Sequence, residues 1–261
     1  MRLETYELTL IKALIAKPEW SKKMQNLIPL ASLFLLIGWG NLAYGSSTCQ
    51  DYNYDSSYLK ELPTESEPEL ISRNTPLFEG GKITCNVSRD HRNTSRNILN
   101  RIETGTYKNI KYRIFYSDGS GSIQGDKSST LDYIKDLRIV NWSSGCRVDG
   151  MNDKLTCYIN KKNLTIGISQ TGSNYVIVGS SHYPSSDIAV RIDQSSPVIA
   201  NEKNGFTTQQ SNSIISSLKA GEKILTRYQE WPYQINKDLV IETYGFNEAW
   251  EIINTIYHLP K

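Results

Sequence analysis

Two of the four cysteines in this 261-residue chain stand in "WSSGCRVDGMNDKLTCYI", residues 142–159. A cysteine can ligate a metal, attack an electrophile or staple two strands, and spacing separates these roles. Zinc sites show C-x₂₋₄-C or paired histidine spacing, whereas Cys146 and Cys157 have ten residues between them and no histidine nearby. A thiol nucleophile needs a neighbouring base, and a paired cysteine cannot serve as one. The strand-like runs on either side of "DGMND" place the two sulfurs opposite each other across a hairpin. A disulfide there closes a short loop, for which loop-closure entropy is worth on the order of 3 kcal/mol. Four cysteines allow three connectivities, and sequence order favours Cys49–Cys85 as the other pair.

Other reactive side chains are sparse. His91, His182 and His258 stand alone, without carboxylates or cysteines at ligand spacing. His182 has Ser181, Ser185 and Asp187 nearby, but a triad is assembled in space rather than along the chain, so a polar loop is expected. His258 should complement the end of a terminal helix. In "FYSDGSGSIQG" the glycines 119, 121 and 125 have the wrong spacing for a dinucleotide fingerprint, and no helix follows. No catalytic residue, metal or cofactor is expected from these patterns. The strongest recognition candidate is "LTRYQEWPYQINKD", which gathers Arg227, Tyr228, Trp231, Tyr233 and Lys237 at a hairpin tip. Rigid rings bury much area at little entropic cost, so these residues form a candidate binding surface for a protein, with a glycan as the second class of partner. The alternative is inward alternation, with Leu225 and Trp231 on one strand face and Trp231 in the core.

Charge narrows the partners. Twenty-nine Lys and Arg against 27 Asp and Glu leave a net charge of +2. Nucleic acid or an anionic membrane surface would call for a concentrated basic face. An apolar run over 27–42 follows Lys22-Lys23 and precedes the small-residue site Ala43-Tyr44-Gly45. This reads as a secretory leader cleaved after Gly45. An uncleaved signal anchor is the alternative, since the run is near the ~18-residue spanning threshold; it would be the only link to a membrane. The long stretch before Lys22 fits either an extended n-region or translation from Met24. All four cysteines follow Gly45, and an even count in an exported chain suits disulfides.

Strands must position these groups. Sixteen Tyr, seventeen Gly and many Ser, Thr and Asn favour strands and turns. Candidate strands are Lys82–Val87, Ile110–Tyr116, "LRIVNW", "CRVD", "KLTCYI", "NLTIGIS", "NYVIVGS", "DIAVRID", "KILTRYQEW" and "DLVIETY". Their close-set turns imply an antiparallel meander. Asn93 or Thr94 could cap a short helix ending at Gly105. Thr207 and Gln210 form a capping-box pattern before a stripe of Ile214, Ile215 and Leu218, with Gly221 as the C′ stop. Phe246, Ala249, Trp250, Ile253, Ile256 and Tyr257 recur on one face of a final helix. The expected fold is mainly β (α+β): an antiparallel β-sandwich or curled sheet with two packed helices in the C-terminal third. The expected organisation is a leader at 1–45, an extension or small subdomain at 46–106 and a β-rich main domain at 107–261.

The order of Trp142, the Cys146 and Cys157 pair, Arg191 and Asp193 in "VRID", Leu218 and Gly221 in "LKAG", and Gly245, Phe246 and Ala249 in "GFNEA" resembles the invasion-associated locus B family of bacterial envelope proteins. The resemblance spans about 137–256. The chain departs from it by lacking a second cysteine pair in "SSPVIANEKNGFTTQQ". Membership would imply an exported β-rich module, periplasmic or secreted, with no established catalytic residues. The expected function is a non-enzymatic protein-binding or accessory module of the envelope. Two alternatives are a secreted hydrolase or glycan-active enzyme with carboxylates in a sheet groove, and an inhibitor of an envelope enzyme that presents "EWPYQ".

Overall fold

The computed structural model describes residues 53–54, 57–66, 68–129, 131 and 140–260. Short strands β1 (Asn53–Tyr54) and β2 (Thr64–Ser66) flank a 3₁₀ turn at Ser57–Glu61. A meander follows: β3 (Lys82–Arg89), β4 (Asn97–Tyr107), β5 (Ile110–Phe115), β6 (Gly121–Ile123), β7 (Trp142–Val148), β8 (Leu155–Lys161), β9 (Leu164–Ile168) and β10 (Asn174–Val178). Each meander strand pairs antiparallel with the next. Strands β1 and β2 add in parallel to β3 and β4, so the described residues form a ten-stranded mixed sheet. A second, four-stranded sheet takes β11 (Asp187–Ile192), β12 (Val198–Asn201), β13 (Lys223–Gln229) and β14 (Asn236–Glu242) in the order β12-β11-β13-β14. Helix α1 (Thr208–Leu218) precedes β13, and α2 (Phe246–Tyr257) follows β14. The fold is mainly β with two C-terminal helices, as the turn spacing requires.

Period-two alternation makes the core. Tyr112 and Ile114 of β5, Cys157 and Ile159 of β8, and Leu164 and Ile166 of β9 are buried on one face. Helix α2 lays Phe246, Ala249, Trp250, Ile253 and Ile256 against β7 and β8, and α1 lays Ile214, Ile215 and Leu218 against β10 and β11. Each buried isoleucine contributes roughly 1.5–3 kcal/mol. The capping box is present: Thr207 Oγ1 accepts from Gln210 N at 3.2 Å and Gln210 Oε1 from Thr207 N at 2.9 Å. Trp142 is fully buried. Its Nε1 donates to Tyr244 O at 3.0 Å, and its ring meets Phe246 at 5.4 Å. Gly245, between those two contacts, caps α2 with φ 73°, a conformation that L side chains rarely adopt.

Two local expectations change. The segment expected to be a helix capped at Asn93 or Thr94 contains β4. Its inward residues include polar Asn97, Arg101 and Glu103, all buried, so the apolar alternation that signals a strand is inverted. Pairing with β3 on one side and β2 and β5 on the other overrides the local helix signal. Gly221 is not a left-handed C′ residue: α1 ends through Lys219 in right-handed conformation. Glycine is needed there because a Cβ would stand 2.5 Å from Ile192 Cγ2. The β4–β5 hairpin carries the ladder without a break across residue 107, so strands on both sides of the expected domain boundary share one sheet. Cys85 is disulfide-bonded. Cys49 and the expected leader at 1–45 lie outside the described residues.

Candidate functional site

Cys146 and Cys157 stand directly opposite in β7 and β8, with Cα atoms 4.1 Å apart, and form a disulfide. The Cys146 N–H points away from β8 and donates to Asp118 O at 2.9 Å. The pair thus occupies a close, non-hydrogen-bonded position of the ladder. Asp149 shapes the turn, its carboxylate accepting from Met151 N at 2.9 Å and from Gln170 Nε2 at 3.0 Å. Those donors hold its carboxyl below the usual range.

His182 and His258 serve the fold, and His91 is exposed. His182 Nε2 bonds Val178 O at 2.6 Å, and the ring sits edge-on to Tyr228. His258 caps α2, with Nδ1 2.8 Å from Asn254 O. Among the described residues no group of three His, Cys, Asp or Glu side chains is placed to hold a metal ion.

The β13–β14 hairpin pairs Tyr228 with Lys237 and Arg227 with Asp238. Arg227 grips Asp238 with Nε at 2.7 Å and Nη2 at 2.5 Å, and these bonds lower the Asp238 carboxyl pKa. Lys237 pairs with Glu230. On the other flank, Tyr183 N donates to Gln229 O at 2.8 Å and Trp231 N to Ser181 O at 2.7 Å. The tip is therefore held from both sides. Trp231 stacks on Tyr183 with centroids 5.5 Å apart. Trp231 is nevertheless 58% exposed, and Tyr233 and Ile235 are 67% exposed.

Trp231 and Tyr233 thus come together at the tip, with Arg227 and Lys237 as ion-paired supports. Tyr228 does not join them. Strand alternation turns it to the other face with Ile224 and Thr226, where it is buried. The placement of Trp231 follows from parity: it continues the outward row of Lys223, Leu225 and Arg227, and β13 itself ends at Gln229. Tyr183 and Ile235 also belong to the surface. Their sequence neighbourhoods are polar, and only the bridge between His182 and Glu230 brings Tyr183 beside Trp231.

Glu103 and Lys161 are among the ionisable groups buried elsewhere. Glu103 accepts from Tyr112 Oη at 2.5 Å, Tyr116 Oη at 2.6 Å, Leu77 N at 2.7 Å and Phe78 N at 3.4 Å. Lys161 donates to Gly125 O at 2.6 Å and Glu242 O at 2.8 Å, with its ammonium 5.4 Å from the Trp142 ring centroid. Burial pushes its amine down to about 8. Both groups tie loops and strands together.

Comparison with family models, curated proteins and solved structures finds no match to this chain. No helix among the described residues is long and apolar enough to cross a membrane.

Proposed function

We propose that this chain is an exported, non-enzymatic module that binds a protein partner of the bacterial envelope through the β13–β14 tip. The carrying observation is the exposed Trp231, stacked on Tyr183 and flanked by Tyr233 and Ile235. Such rings are expensive to leave in water, and aromatic anchors dominate interface energetics. The Arg227–Asp238 and Lys237–Glu230 pairs lower the ordering cost of binding by fixing the hairpin beforehand. Export is supported by the apolar run ending near Gly45, by the Cys146–Cys157 disulfide and by the resemblance to the invasion-associated locus B family.

Photo-crosslinking from position 235 in envelope extract should trap a defined protein. The double variant W231A/Y233A should lose at least 30-fold in affinity for it, the range of two or more kcal/mol for aromatic hot spots. Its thermal midpoint should fall only slightly, by the loss of the Trp231–Tyr183 stack, because both side chains are mostly exposed. Undiminished capture by the double variant would exclude the tip as the contact.

A further inference from the structure

The face of the ten-stranded sheet opposite Ile114, Ile159 and Ile166 carries a groove of about 770 Å³. One register row crosses it. Arg113 of β5 pairs with Ser122 of β6, Ser122 with Ser143 of β7, Ser143 with Asn160 of β8, and Asn160 with Thr165 of β9. All five residues line the groove. Four strand spacings make this row about 19 Å long, enough for several linked units of a ligand.

Two polar atoms in the row are buried without a partner: Arg113 Nε and Ser122 Oγ. Ser122 is only 6% exposed. Buried donors and acceptors in native proteins are almost always satisfied by protein, water or ligand, and two of the six unmet buried side-chain atoms among the described residues fall in this one row. Beside the row, Tyr158 stands opposite both Gly145 and Gly167. Its ring lies across Gly145, where a Cβ would come within 2.9 Å of the phenol oxygen. The ring is thereby held along the sheet surface, 37% exposed. Arg113 and Lys162 are the charged residues lining the groove among those described, and no carboxylate joins them.

We infer that this groove binds an acidic oligosaccharide. Sugar C–H faces stack on an aromatic ring, and the polar end of tyrosine stays free to hydrogen-bond. Serine, asparagine and threonine side chains donate and accept alike, which matches sugar hydroxyls. A guanidinium with an unused Nε–H matches a carboxylate or sulfate oxygen. A nucleic-acid strand would require a longer run of cations along its backbone. A peptide adding as a strand requires a sheet edge, whereas this groove crosses the strands. The site lies on a different sheet from the aromatic tip and does not rest on its role.

Calorimetric titration of the purified chain with tetragalacturonate, a heparin-derived tetrasaccharide and neutral cellotetraose tests the inference. At least one acidic probe should bind tenfold or more tighter than cellotetraose, and which one does distinguishes carboxylate from sulfate recognition. R113Q should weaken that binding at least tenfold. S122A should weaken it several-fold while leaving the thermal midpoint equal or higher, because the hydroxyl it removes has no partner in the free protein; a merely structural serine would lower the midpoint. Y158A should weaken all saccharide binding and leave capture through Trp231 intact. Failure of both acidic probes to bind, equal binding by R113Q, or tighter binding of hexathymidylate or of an acidic peptide would overturn the assignment.

Discussion

Glu103 is a carboxylate with no access to water that accepts four hydrogen bonds, two from phenols and two from the backbone of Leu77 and Phe78. Removing it leaves two buried phenols and two part-buried backbone N–H groups unmet. E103A should therefore cost about 3–4 kcal/mol, against about 1 kcal/mol for Y116F, which deletes a single bond. Urea unfolding measures both, and a cost below 1 kcal/mol for E103A would show that the network is dispensable. Lys161 makes a prediction in pH. Its folded pKa near 8 lies below the ordinary lysine value of about 10.4. Between those values the unfolded chain holds a proton that the folded protein has released, so stability rises with pH. Below pH 8 both states are protonated and the contribution is flat. Above pH 10 the phenols of buried Tyr112 and Tyr116 and of half-buried Tyr175 act in reverse, because desolvation raises their pKa and the unfolded chain ionises first. Relative to K161M, the wild type should gain on the order of 2 kcal/mol between pH 7.5 and 10. Parallel pH profiles for the two proteins would rule out a neutralised Lys161.

At the scale of elements, the corner joining α1 to β13 is built by two residues acting together. Asp193, at φ 49°, accepts from Lys223 N at 2.9 Å and Glu222 N at 3.2 Å, while Gly221 lets the chain pass within contact of Ile192. G221A should cost about 1–3 kcal/mol through overpacking, although its backbone angles suit any residue. In G221A/I192L the β-branch is gone and much of the loss should be recovered; additive losses in that double-mutant cycle would place the strain elsewhere. This corner also shows what could be read beforehand. The capping box at Thr207, the stripe on α2 and the strands β5, β8, β9 and β11 were legible because their apolar residues recur at the period of the element. Strand β4 was not, because Asn97, Arg101 and Glu103 face inward and find partners distant in sequence, such as Leu59 O and Glu69. Residue type made Trp231 and Tyr233 candidates for a surface but did not separate them from Tyr228, which is buried. Tyr183 was hidden, and so was the row from Arg113 to Thr165, because each depends on register between segments and register is not written in local composition.

Across the whole molecule, the two sheets share one core. The inward faces of β5, β8, β9, β11 and β13, together with both helices, contribute to a continuous cluster of buried side chains. Helix α1 is the joint: it packs on β10 of the large sheet and on β11 of the small one. Ile214 is fully buried on that helix. I214A removes three carbons from the joint and should cost about 2–4 kcal/mol through lost burial and the cavity left behind. The distribution of that loss tests the architecture. If the sheets form one cooperative unit, hydrogen exchange in β8 and in β13 should accelerate by the same factor, since both report global opening. A single urea transition with an unchanged slope should accompany it. Loss of protection confined to β13 would mean that the small sheet opens alone. Cooperative loss would mean that the aromatic tip and the sheet groove are carried by one folding unit, so that neither surface can be lost by unfolding without the other.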